Sequence, residues 1–148
     1  MSFSFLMPVL GEIEDVSKTP DDTFSKGLVG VGFVVYPSDM RFYAPVDGII
    51  EMIYPTKHAL SIHSNEGLSI LIHVGFSNQL RESVFSYHVV LNQKVKQGDL
   101  LFELSSHVLS LDKHDLATTV VFIQKKHMHV VSTHCIEGRN RYILEVKS

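Results

Sequence analysis

The sequence predicts an all-β fold: a compact antiparallel β-sandwich or barrel-sandwich hybrid with one or two short helices. Three observations predict it. Short runs rich in Val, Ile, Leu and aromatics recur every ten residues or so along the chain. The stretches between them are turn-forming, because Gly supplies positive φ and Asp or Asn bonds its own backbone. Segments with the 3.6-residue period of an amphipathic helix are scarce.

In chain order, the first element expected is a short helical turn starting at Asp21 or Asp22, either of which would cap it, with Phe24 included. Strands are expected at Gly32–Tyr36, Gly48–Tyr54, Ala59–His63 and Ser69–Val74, and again at Leu100–Leu104, Thr118–Ile123 and Tyr142–Val146. Pro37-Ser38-Asp39, Pro45-Val46-Asp47-Gly48, Ser64-Asn65-Glu66-Gly67 and Gln97-Gly98-Asp99 supply the turns. A second short helix is expected around His107–His114, capped by Ser105 or Ser106, with Val108, Leu109 and Leu111 facing inward. No linker, low-complexity tract or fixed-period repeat interrupts the chain, so residues 1–148 read as one domain.

Composition excludes several classes. With 45% hydrophobic and 20% charged residues the chain is globular rather than disordered. A formal net charge of −3 leaves no basic footprint for nucleic acid. The single cysteine, Cys135, rules out an internal disulfide and reads as a small buried hydrophobe. No apolar run approaches the ~18 residues that span a bilayer. Met1–Leu10 is apolar but lacks a charged leader region, so a signal peptide is not expected and the compartment reads as cytoplasmic.

The chain holds nine histidines, and spacing singles out two of them. Ser64–Gly67 is a four-residue turn between two apolar strands, which makes a β-hairpin. A hairpin centred near Asn65-Glu66 puts His58 and His73 opposite or nearly opposite each other. Side chains so placed on one face approach to roughly 5 Å at Cβ. Within Ser69–Val74, Leu71 and His73 share one face, while Ile70, Ile72 and Val74 fill the other. His73 therefore projects away from the main apolar face, next to Gly75. Its imidazole, with an unperturbed pKa near ~6.5, keeps a neutral nucleophilic nitrogen at cellular pH. Two imidazoles at one point could share a proton, a metal ion or a phosphoryl group.

A run of motifs resembles the glucose-permease type of IIA domain of sugar phosphotransferase systems. It begins with Asp22-Thr23-Phe24-Ser25, Gly30-Val31-Gly32-Phe33-Val34-Val35-Tyr36-Pro37 and Ala44-Pro45-Val46-Asp47-Gly48. Lys57-His58-Ala59-Leu60, Leu71-Ile72-His73-Val74-Gly75 and Val95-Lys96-Gln97-Gly98-Asp99-Leu100-Leu101 follow in order. The match runs from about Pro8 to Asp99, with a weaker continuation through Thr119-Val120-Val121, and the 15-residue separation of the two histidines is its most specific part.

The resemblance implies a phosphotransferase that accepts a phosphoryl group from phosphorylated HPr and passes it to a cysteine on a IIB domain. It implies His73 as the phosphorylated residue, His58 as support for the phosphate, Thr56 as the group holding His58, and Gly75 as backbone beside the phosphohistidine. On an extended strand Thr56 and His58 share a face, which would let the hydroxyl fix the tautomer of the ring. A high-energy phosphohistidine needs shielding from water, and Phe24, Tyr54, Leu71 and Phe76 are the apolar candidates for that ring and for partner contact. No metal is required, although two neutral imidazoles, His58 and His73, make half of a tetrahedral zinc site.

The chain also departs from the family pattern. After His73 the family has Gly-Ile-Asp-Thr-Val and then a glycine-containing stretch. Here the segment from Gly75 to Phe85 is one residue shorter and lacks those glycines, with Ser77 in place of the Asp. Val31 replaces an acidic residue between Gly30 and Gly32. The tail from Lys125 matches poorly. Two alternatives follow: a regulatory module with altered or lost transfer, and a zinc hydrolase using His58 or His73 with His127 and His129. A prosthetic-group carrier on Lys57 is disfavoured, since that lysine does not top the hairpin turn.

Overall fold

Period-two alternation sorts the residues of this chain onto the two faces of its sheets. The computed structural model describes residues 1–19, 21–75, 80, 82–136 and 138–148, leaving aside the side chains at 107, 109, 113 and 136. Its largest sheet has seven antiparallel strands. In spatial order they are β2 (Gly11–Asp15), β3 (Gly30–Pro37), β11 (Thr118–Ile123), β7 (Ser69–Val74), β6 (Ala59–Ser64), β5 (Gly48–Ile53) and β9 (Lys94–Val95). Two three-stranded sheets accompany it: β1 (Ser2–Leu6), β13 (Arg139–Lys147) and β12 (His127–Ile136), and then β4 (Arg41–Tyr43), β10 (Leu100–Leu104) and β8 (Phe85–Tyr87). None of these sheets closes into a barrel, so the architecture is the layered, sandwich form of the expected all-β fold.

The main core forms where the three sheets meet. Ile70, Ile72 and Val74 of β7 and Leu60 and Ile62 of β6 bury one face of the large sheet in it. Phe5 of β1 stacks on Phe33 at 5.9 Å and lies 5.5 Å from Phe122 of β11, joining two of the layers. Phe102 of β10 stacks on Phe42 at 4.5 Å and on Tyr87 at 5.0 Å, which binds the small third sheet into one aromatic column. The opposite face of the large sheet carries a smaller apolar cluster, Val16, Phe24, Ala59, Leu71 and Val121. It is covered by a 3-10 turn at Val16–Lys18 and by α1 (Asp22–Ser25). Asp21 caps α1 by accepting the Thr23 N–H at 2.8 Å, and Phe24 points inward.

Most expected strands stand within a residue or two, because their apolar runs are buried on at least one face. The helix expected around His107–His114 is instead two 3-10 segments, Ser106–Ser110 and Lys113–Leu116. Asp112 separates them, its carboxylate accepting the His114 N–H at 2.8 Å as the cap of the second. Val108 is buried as expected, and Leu111 packs partly against the core. Cys135, expected as a buried hydrophobe, is exposed. The reason is topological: β12 is an edge strand, paired among the described residues with β13 alone.

Phe122 is fully buried and joins β11 to both Phe3, at 5.8 Å, and Phe5. Replacing it with Ala opens a cavity between layers and should cost about 3–5 kcal/mol. The check is a urea unfolding curve, whose midpoint should fall while its slope is kept.

Candidate functional site

The β6–β7 hairpin turns through Ser64–Gly67 as the sequence suggests: Gly67 N–H donates to Ser64 O at 2.9 Å and Leu68 N–H to Ser64 Oγ at 3.0 Å. Register then places Ala59 of β6 directly across from His73 of β7. His58, one residue before β6, lies beside that pair, and its carbonyl accepts the Val74 N–H at 2.8 Å. The two imidazoles meet with ring centroids 4.7 Å apart and planes at 87°. His73 shares its face with Leu71 and the small apolar cluster, away from the main core.

Thr56 reaches His58 by a different route from the one expected. The two do not share a face of an extended strand: β5 ends at Ile53 and β6 begins at Ala59, so both lie in the connecting turn. Lys57, between them, takes a φ of 68°, and its N–H donates to Tyr54 O at 2.8 Å. Tyr54 N–H in turn donates to Ala59 O at 2.9 Å. This tight turn folds Thr56 back over the ring, and Thr56 Oγ1 is in hydrogen bond with His58 Nδ1. A polar Pro55-Thr56-Lys57 run after an apolar strand signals a turn, and this one outweighs simple strand alternation.

Burial sets the protonation of the pair. His73 is mostly buried, and desolvation, then the proximity of His58, lower its pKa to about 4. Asp21, the α1 cap, opposes that shift electrostatically. The pKa of His58 is also lowered by burial. Both rings are therefore neutral near pH 7, and His73 Nδ1 is enclosed by protein. Asp21 is legible in the sequence as a helix cap; only the fold makes it a charge near His73.

The apolar candidates divide by exposure. Phe24 and Leu71 are each only 6% exposed, and the Phe24 ring lies 5.3 Å from that of His73, so they back the histidine from below. Tyr54 is half-buried and meets His58 edge-on at 5.6 Å. Leu28, in the segment just after α1, is 74% exposed and was not expected from the sequence. Phe76 and Ser77 lie outside the described residues.

Gly75 takes a φ of 75°, and a Cβ there would come within 2.7 Å of the Asp115 carbonyl. Its N–H donates to Ala117 O at 2.9 Å, so its amide is engaged within the fold. His127 and His129 are on β12, in a different sheet from His58 and His73. Among the described residues no group of three or more His, Cys, Asp or Glu converges on a metal position, and the zinc-hydrolase constellation is not assembled.

The site is a pair of neutral imidazoles backed by apolar side chains on a sandwich sheet. Residues 3–128 match the phosphoenolpyruvate-dependent sugar phosphotransferase system EIIA 1 family, and the chain belongs to it. It is a phosphotransferase component, a phosphoryl carrier of such a system. The matched span is longer than the motifs alone suggested, reaching into β1 and the start of β12.

The chain is 38% identical over 120 residues to the glucosamine-specific EIICBA component of the PTS system of Bacillus subtilis (strain 168). That alignment covers 80% of this chain and 19% of the relative, so the chain spans about a fifth of that protein's length. Its fold is similar to that of glucose permease IIA from Mycoplasma capricolum, with a TM-score of 0.73 and 29% identity over 82% of this chain and 80% of that one. Among the described residues no helix is long and apolar enough to cross a membrane.

The depressed pKa of His73 has a consequence for stability. The unfolded chain takes up a proton at this residue near ~6.5, whereas the folded protein does so only at about 4. Between those values the unfolded state binds more protons, so stability falls as the pH is lowered through this window and is independent of His73 above it. Imidazole NMR titration should give a His73 midpoint near 4, and His73→Gln should flatten the loss of unfolding free energy between pH 6.5 and 4.

Proposed function

We propose that His73 is the residue that carries the phosphoryl group, received from the phosphorylated histidine of HPr and passed to a cysteine of a IIB domain. The observation that carries this reading is the edge-to-face contact of His73 with a second imidazole whose Nδ1 is engaged by Thr56. With Nδ1 of His73 enclosed by protein, Nε2 is the nucleophile. Its lone pair forms the new N–P bond as the N–P bond to the donor histidine breaks, and the later exchange moves phosphorus onto thiolate sulfur. Phosphoryl transfer of this kind asks mainly for positioning and for neutralisation of the equatorial oxygens.

His58 supplies that support. When the Thr56 hydroxyl donates to Nδ1, the proton of neutral His58 resides on Nε2, where it can donate to a phosphate oxygen. Phe24 and Leu71 exclude water from behind the phosphohistidine, and Tyr54 does so beside His58. No metal enters the cycle. Zinc could take His58 and His73 as two ligands, and the remaining donors would have to come from outside the described residues. Cytoplasmic partners place the domain in the cytoplasm, and the sugar is chosen by the permease rather than by this chain.

Incubation with phosphorylated HPr should add one acid-labile phosphoryl group, seen by intact mass and mapped to His73. His73→Ala should abolish labelling. His58→Gln should still accept but donate onward more slowly by about 10²-fold, the size of effect of removing one electrostatic donor. Equal loss of acceptance and donation in the His58 variant would contradict this division of roles. Thr56→Val should act in the same half-reaction as His58→Gln, and more weakly.

A further inference from the structure

Tyr87 sits on β8, in the small sheet with β4 and β10, and its hydroxyl crosses to the catalytic hairpin. Tyr87 Oη donates to the carbonyl of Lys57 at 2.6 Å. The Lys57 Nζ lies 5.5 Å from the centroid of the same ring, so the lysine is gripped at both its backbone and its side chain. Burial pushes the Tyr87 phenol well above its ordinary range, which keeps it a protonated donor.

The donor is rigidly mounted. Its ring stacks on Phe102 at 5.0 Å, and Phe102 stacks on Phe42 at 4.5 Å. The chain on either side is fixed by backbone bonds, Ser105 N–H to Val84 O and His88 N–H to Leu101 O, both 2.8 Å.

The acceptor is the peptide that leads into His58. Lys57 has a φ of 68°, a conformation that a side-chain-bearing residue keeps only when its surroundings hold it. Rotation of the Lys57–His58 peptide would carry the imidazole off its line to His73. Thr56 fixes the ring of His58, and Val74 N–H fixes its carbonyl. The orientation of the peptide before it is set by Tyr87.

We infer that Tyr87 is a positioning residue for His58, acting from a separate sheet through the Lys57 carbonyl. The inference rests on the reading of His58 as phosphate support, and the small sheet then becomes the frame against which the catalytic turn is held.

The test is Tyr87→Phe, which deletes the hydroxyl and keeps the stacked ring. Tyr142→Phe, a buried phenol on β13, serves as the control. Tyr87→Phe should shift the His58 imidazole ¹⁵N signals while those of His73 stay in place. It should leave acceptance from phosphorylated HPr within about twofold and slow onward transfer about three- to tenfold, the effect of one lost hydrogen bond. Lys57→Gly retains the carbonyl acceptor and eases the backbone, so its His58 signals should follow those of the parent.

Unchanged His58 signals and unchanged onward transfer in Tyr87→Phe would overturn the inference. So would equal disturbance of both histidines with loss of both half-reactions, which marks a merely structural role. A parent protein that takes no phosphoryl group from HPr would sink the carrier reading instead, and the imidazole signals of Tyr87→Phe would still decide the role of Tyr87.

Discussion

The register of the β6–β7 hairpin is the constraint on which the site depends. Ala59 must stand across from His73 for the next residue back, His58, to fall beside it. Slipping this pairing by one residue would turn the side chains of β7 to the opposite face. His73 would then point into the core that now holds Ile70, Ile72 and Val74. Register is secured twice over, by that apolar face on one side and by the Ser64–Gly67 turn on the other. The same interactions that bury the sheet therefore place His73 beside His58.

Burial also does chemical work. A histidine on a solvated surface is partly protonated near neutral pH, and a protonated ring is no nucleophile. The small cluster of Phe24, Leu71 and Ala59 removes water from one side of His73, and the second imidazole adds to the penalty on its charge. The cost appears as an acid-sensitive fold. The gain is a nitrogen that is neutral over the whole physiological range, beside a donor whose proton is directed by Thr56.

The two-faced large sheet explains how one domain combines a rigid core with a reachable site. One face of that sheet is sealed against the main core, with Phe5, Phe33 and Phe122 joining it to the β1–β13–β12 sheet. The other carries smaller cover, a 3-10 turn and the four-residue α1 over the cluster beside His73 and the Lys113–Leu116 segment over β3, which leaves His58 half-buried. A protein partner can reach such a face, whereas bulk water meets mostly apolar surface behind the histidine. The third sheet is tied to this arrangement through an aromatic column that ends at the turn carrying His58.

The sequence by itself determined seven of the strands, the β6–β7 hairpin and the near approach of His58 and His73, because these follow from period-two burial and from turn chemistry, whereas β1, β2, β4, β8, β9 and β12 were not expected from it. It also determined α1, whose cap at Asp21 and buried Phe24 are local. Only the tertiary structure decided the rest. The turn at Lys57 bends Thr56 onto His58 through a positive φ that a lysine does not advertise. Edge position exposes Cys135, and Asp112 splits the expected helix into two 3-10 segments. Tyr87 reaches the turn before His58 from an element distant in sequence, and residues brought together by sheet stacking carry no local pattern that announces the meeting.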